Sequence, residues 1–141
     1  MAKKPTGKKI LFVDDEPRWT ATYVDELQAD GYEVHQEIDV DNALQFFKEN
    51  RNQIVLLILD IMMPPGSSFT NGETQMGMRT GECFYDTIRE MTPKLHVIIL
   101  TNVSNEKVKE KFDQERYCTF LRKPETFPYE LAEKVDAVVK R

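Results

Sequence analysis

Five residues carry groups that could do chemistry together: Asp14, Asp15, Asp60, Thr101 and Lys123. Each stands at or just past the end of a short apolar run, and Asp60 ends the most apolar of them, Ile54–Leu59. Three carboxylates brought close together repel one another, and burial raises their pKa values unless a positive group joins them. An oxygen-only donor set suits a hard divalent ion. Mg²⁺ is typically held by one or two carboxylates plus phosphate oxygens and water. Lys123 is a point charge suited to a phosphoryl group, and Thr101 is a neutral donor to one of its oxygens. Together they describe a phosphoryl-binding site with one carboxylate free to attack, which is covalent catalysis by Asp. Asp60 is the first choice for that carboxylate.

Taken singly, every one of these residues has an ordinary role. An acidic pair after a strand is often a helix cap. A lone Asp or Thr there is often a turn residue, and a Lys before a Pro is commonly on the surface. The signal lies in the joint occurrence, with the groups spread over four strand ends.

The elements that must position them follow from periodicity. Residues 9–13 form a short apolar strand ended by Asp14-Asp15-Glu16. Pro17 suits a first helical turn, and Trp19, Tyr23, Val24 and Leu27 recur on one face of a helix over 17–30. Residues 32–38 alternate, as a strand open to solvent on one side does. Asp39 or Asp41 can cap the next helix, whose buried stripe is Ala43, Leu44 and Phe47. The continuous run Ile54–Leu59 reads as a strand buried on both faces. An irregular segment follows to Thr80. A helix restarts near Gly81 with Phe84, Ile88 and Met91 inward, and Pro93 lies beyond its end. Residues 95–100 form a buried strand, Ser104 can cap a fourth helix bearing Val108 and Phe112, and residues 117–121 form a fifth strand. A last helix spans 125–140, with Leu131, Val135, Val138 and Val139 inward.

Five β/α units in strict alternation imply a parallel sheet covered by helices on both faces. The doubly wound order 2-1-3-4-5, known from flavodoxin-like folds, is the natural arrangement for five strands. It places the ends of strands one, three, four and five side by side.

The 141 residues fit one domain with its own core. A net charge of −5 argues against a nucleic-acid-binding face, and no apolar run is long enough to span a bilayer. With no signal-peptide pattern at the N-terminus, a cytoplasmic location is expected. Residues 1–8, with Lys3, Lys4 and Lys8, read as a flexible tail, and 9–141 as the domain. Cys83 and Cys118 lack metal-ligand spacing, and His35 and His96 have no sequence neighbours that suggest a site.

The chain resembles the receiver domains of two-component response regulators. The matching pieces are VDDEP at 13–17, LDIMMP at 59–64, TGECFYDTIRE at 80–90, VIILT at 97–101 and FLRKPE at 120–125. Such domains are themselves an example of the 2-1-3-4-5 order, so that order is taken from known folds as much as from the residues. The resemblance implies a signalling domain with self-dephosphorylation rather than a turnover enzyme. Asp60 would accept a phosphoryl group from the phosphohistidine of a sensor histidine kinase or a phosphotransfer protein. Asp15, Asp60 and the backbone carbonyl of Met62 would hold Mg²⁺, with Asp14 acting through a bound water. Thr101 and Lys123 would bind phosphoryl oxygens. Phe120 would be the switch aromatic, turning inward as Thr101 moves. The Lys123–Pro124 bond would be cis. The readout surface, formed by the fourth helix, fifth strand and fifth helix, would engage a downstream protein target, and a phosphorylation-dependent dimer is an open alternative.

Three departures stand out. Asn102 follows Thr101 where a small residue is usual, so its amide could narrow access to Asp60. Phe120 lacks the hydroxyl of the commoner Tyr. The segment 64–80 is much longer than the usual connection, and long connections are often functional or disordered. A lid, a partner-docking element, a dimer contact or a mobile insertion all fit it, and Phe69, Met76 and Met78 favour some packing. Two other functions share the chemistry: a small aspartyl-phosphate phosphatase of the haloacid-dehalogenase kind, and a phosphorylation-independent binding module. The first would place its nucleophile in a DxD pattern after strand one, which Asp14-Asp15-Glu16 lacks.

Overall fold

The run Ile54–Leu59 lies at the centre of the sheet, with five of its six side chains buried. The computed structural model describes residues 8–139. Its strands are β1 (Lys9–Val13), β2 (Glu33–Glu37), β3 (Ile54–Leu59), β4 (His96–Thr101) and β5 (Cys118–Arg122). All pair in parallel, in the order β2-β1-β3-β4-β5. The helices are α1 (Pro17–Ala29), α2 (Val40–Asn50), α3 (Asn71–Thr74), α4 (Thr80–Met91), α5 (Glu106–Asp113) and α6 (Pro128–Val139). This is the flavodoxin-like architecture expected, with one short helix more.

Alternate residues of each central strand face opposite sides, so β3 feeds two cores. Leu57 and Leu59 join Leu11, Val13, Val97 and Ile99 under Phe47 of α2, Phe84 and Ile88 of α4 and Phe112 of α5. Leu56 and Ile58 join Ile10, Phe12, Ile98 and Leu100 under Val24 and Leu27 of α1 and Leu131 and Val135 of α6. A sheet covered on both faces keeps its strand ends as the open edge where polar groups can gather.

Several local expectations change. Trp19 is 73% exposed, and Thr20 takes its place on the buried face of α1. Asp39 does cap α2 by accepting from the backbone N–H of Asn42. The α5 cap is Asn105, not Ser104: its side chain accepts from the N–H groups of Lys107 and Val108. A single 3-10 turn, Lys123–Glu125, precedes α6, so that helix begins at Pro128. The Lys123–Pro124 bond is trans, since no peptide bond among the described residues is cis. Pro124 sits inside the 3-10 turn, where its fixed φ and missing N–H are both accommodated without a sharp reversal. The expected tail falls almost wholly on residues 1–7, which lie outside those described.

The segment after Pro64 is folded. Thr70 and Glu73 form a reciprocal capping box around α3. The N–H of Met63 donates to Gly77 O (3.1 Å), and the Thr80 hydroxyl donates to Met63 O. Asp41 ties the segment to α2. Its carboxylate accepts from the N–H and hydroxyl of both Ser67 and Ser68. Gly66 makes this approach feasible. It has φ +59, and a Cβ there would lie 2.6 Å from Asp41 Oδ2. Phe69 packs against the core, whereas Met76 and Met78 are 76% and 59% exposed and do not.

Candidate functional site

Asp14 and Asp60 leave adjacent strands in register. The Asp60 N–H donates to Val13 O (3.1 Å), so β3 extends one residue alongside the end of β1. Asp14, Asp15 and Asp60 each offer a carboxylate oxygen within 4.8 Å of the others. Lys123, at the end of β5, reaches across β4 to them. Its Nζ lies 2.7 Å from Asp14 Oδ2 and 3.1 Å from Asp60 Oδ2. The other Asp60 oxygen accepts from the N–H of Ile61 (2.7 Å), and the other Asp14 oxygen from the N–H of Glu16 (2.8 Å). Both carboxyls are buried.

Burial, with Asp60 close by, raises the pKa of Asp14 despite its bond to Lys123. Burial also raises that of Asp15, aided by repulsion from Glu16 and Asp60. Burial alone would lower Lys123, but its two carboxylate partners hold it above its ordinary value. The site thus has more negative charge than its one ammonium can balance. A donor set of clustered carboxylates with surplus negative charge fits a hard divalent cation.

Thr101 leaves the end of β4, next to β3, and is fully buried. Its hydroxyl oxygen accepts from the N–H of Val103 (3.2 Å), which leaves the hydroxyl proton available to another acceptor. Phe120 is turned inward, 9% exposed, with its ring 6.2 Å from that of Phe112. Met62 is half-exposed, two residues beyond Asp60. It borders a cleft of about 410 Å³ that Asn102 also lines, and a second of the same size that reaches Asp15 between Pro64 and Met76. The insertion therefore forms one wall of the approach to the carboxylates.

Several other contacts join residues far apart in the sequence. Gly81 abuts the chain just after β3: a Cβ there would collide with Asp60 O and sit 2.5 Å from Ile61 Cα. Its N–H donates to Ile61 O (2.8 Å), so α4 starts against the backbone that holds Asp60. Glu82 is buried and paired with both Arg79 and Lys111. The Tyr23 hydroxyl points at the Lys123 turn. His35 pairs with Glu37 and stacks on Phe46, and His96 bonds Thr119. Both histidines thus have partners on the strands, away from the carboxylates. Cys83 and Cys118 are free thiols.

The family profile of the response regulator receiver domain matches residues 10–136. The chain belongs to this family. The receiver domain is similar to a response regulator receiver domain protein from Clostridium thermocellum, with 27% identity, 95% of each chain covered and a TM-score of 0.74. It is similar to the receiver domain of the hybrid histidine kinase CckA, with 28% identity over 93% of this chain and 98% of that one, and a TM-score of 0.68. A CheY-like receiver domain protein from Methanospirillum hungatei shares the fold, with 21% identity, 94% of each chain covered and a TM-score of 0.71. No curated protein sequence matches. Membership places the receiver domain in two-component signalling, as a phospho-accepting module. No helix among the described residues is long and apolar enough to cross a membrane.

Proposed function

We propose that Asp60 is the phospho-acceptor of this receiver domain and that its donor is a phosphohistidine on a kinase or phosphotransfer protein. The observation that carries this reading is the three-carboxylate cluster in which Lys123 bridges Asp14 and Asp60. An Asp60 oxygen attacks phosphorus while the P–N bond breaks. The imidazole nitrogen leaves with the electron pair, and an acyl phosphate forms on Asp60. Later attack by water on phosphorus returns the carboxylate and inorganic phosphate.

Asp15, Asp60 and the carbonyl of Met62 would hold Mg²⁺, with Asp14 bound through water. The ion would supply positive charge to the transferring oxygens. Lys123 moves from its carboxylate partners to a phosphoryl oxygen, and the Thr101 hydroxyl donates to another. A new dianion thereby draws in two groups from β4 and β5, the strands next to the readout face. Phe120 packs in the core beside Phe112, and without a hydroxyl it can report the change only through packing. The readout surface then comprises α5, β5 and α6, where a cavity of about 540 Å³ lies between Lys109, Phe120 and Glu130. A downstream protein is its expected partner, and dimerisation on phosphorylation is a further outcome the same face allows.

The test is incubation with Mg²⁺ and acetyl phosphate or beryllofluoride, followed by intact mass and Trp19 fluorescence. One phosphoryl group should add to the wild type and none to Asp60→Asn. No adduct and no Mg²⁺-dependent change would overturn the reading. Rapid multiple turnover of a phosphoester would instead indicate a phosphatase.

A further inference from the structure

The Tyr23 side chain links the element that follows Asp14 and Asp15 to the turn that carries Lys123. Tyr23 lies on α1, 7% exposed, with its ring in the core under that helix. Its hydroxyl is 2.7 Å from Thr126 O and 3.2 Å from Lys123 O. A phenol has one proton to donate, so Thr126 O takes the main bond and Lys123 O shares it. These carbonyls flank the 3-10 turn Lys123–Glu125, which the Thr126 N–H also closes by donating to Lys123 O (3.2 Å). Burial raises the Tyr23 pKa, so the phenol remains a donor at neutral pH.

We propose that Tyr23 is a positioning residue for phosphoryl binding, its hydroxyl fixing the Lys123 turn so that the ammonium meets the group on Asp60. The inference rests on Asp60 being the phospho-acceptor. A lysine stem is flexible and could absorb small errors in its backbone. Here the slack is small: the side chain is 9% exposed and its Nζ spans two carboxylates on different strands. Without the phenol proton, Thr126 O loses its donor in a buried setting, and the turn must shift to find another. The Lys123 carbonyl moves with it, and so does the origin of the side chain. The ring of Tyr23 does not take part, so deleting the hydroxyl alone separates positioning from packing.

Tyr23→Phe is the variant. Three readouts are compared with wild type: Mg²⁺ affinity by calorimetry, beryllofluoride affinity at saturating Mg²⁺, and the rate of phosphorylation by acetyl phosphate. Mg²⁺ affinity should change less than beryllofluoride affinity, because Asp14 and Asp60 are also held by the N–H groups of Glu16 and Ile61, whereas the phosphoryl mimic depends on where the turn places the ammonium. Beryllofluoride affinity and the phosphorylation rate should each fall about three- to tenfold, the scale of one lost hydrogen bond. Val24→Ala, a cavity in the same helix and core, should lower stability and leave all three readouts alone. In a Lys123→Ala background, Tyr23→Phe should have no further effect. Unchanged beryllofluoride affinity in Tyr23→Phe would overturn the inference. So would an equal loss in Val24→Ala, or an undiminished effect without Lys123. A wild type that takes neither beryllofluoride nor phosphate overturns the reading of Asp60, and this inference with it. A responsive wild type with an indifferent Tyr23→Phe overturns only the inference.

Discussion

Glu82 is buried in the first turn of α4, yet its carboxyl is held below the ordinary Glu pKa. Burial opposes this. Arg79 overrides it with two nitrogens, Nε at 2.8 Å and Nη2 at 2.9 Å, and Lys111 of α5 adds a third donor at 3.1 Å. Both cations are partly exposed, so they can rehydrate if Glu82 loses its charge. Glu82→Gln should therefore cost about 1–3 kcal/mol, below the range for a fully buried pair. The pH dependence follows from linkage. A carboxyl whose folded pKa is depressed stabilises the fold above its unfolded pKa, and that contribution is lost as pH falls through the folded value. Urea unfolding at about pH 7 and about pH 3 checks this. The gap between wild type and Glu82→Gln should narrow in acid, and a constant gap would mean that Glu82 acts through shape rather than charge.

At the level of elements, the insertion is where sequence and structure part most. The strands were legible because each is a run of apolar residues stopped by a polar one, as Leu59 is by Asp60. Their chemical groups were legible because the sheet order turns strand ends into neighbours. The contacts of Asp41 were not. They join residues 26 and 27 positions apart through backbone N–H groups, which leave no mark in side-chain periodicity. Glu82 had a local partner at Arg79, but Lys111 lies 29 residues away. Trp19 obeyed helical spacing and still faces water, because spacing identifies a stripe but not how far the core extends around the helix. Asp41 has its pKa lowered to about 2, chiefly by the hydroxyl of Ser68 and the N–H of Ser67. The tie is then complete above the unfolded Asp value and is lost only as pH falls toward about 2. Asp41→Ala should free the insertion without unfolding the sheet. Amide exchange in residues 64–70 should quicken about tenfold or more, while β1 and β3 keep their protection. Equal acceleration in the strands would show that the segment supports the whole fold.

For the molecule as a whole, the carboxylate cluster is a local cost that binding removes. Asp14 and Asp60 share Lys123, whereas Asp15 has no cation bonded to it among the described residues. Burial and the nearby charges of Glu16 and Asp60 disfavour its ionised form. A net charge of −5 adds a weak field of the same sign. Asp15→Asn removes one of the crowded charges and keeps the shape. In chelator, it should be more stable than wild type by about 0.5–2 kcal/mol, or roughly 2–6 °C in Tm. Adding Mg²⁺ should raise the wild-type Tm with concentration, since a ligand of the folded state stabilises by RT ln(1 + [L]/Kd). The variant lacks one proposed ligand and should respond weakly. The two melting curves measured against Mg²⁺ should then converge and cross, with wild type the more stable at high concentration. An Asp15→Asn protein less stable than wild type in chelator would mean that repulsion at the cluster is already neutralised by Lys123, and that ion binding adds stability without relieving strain.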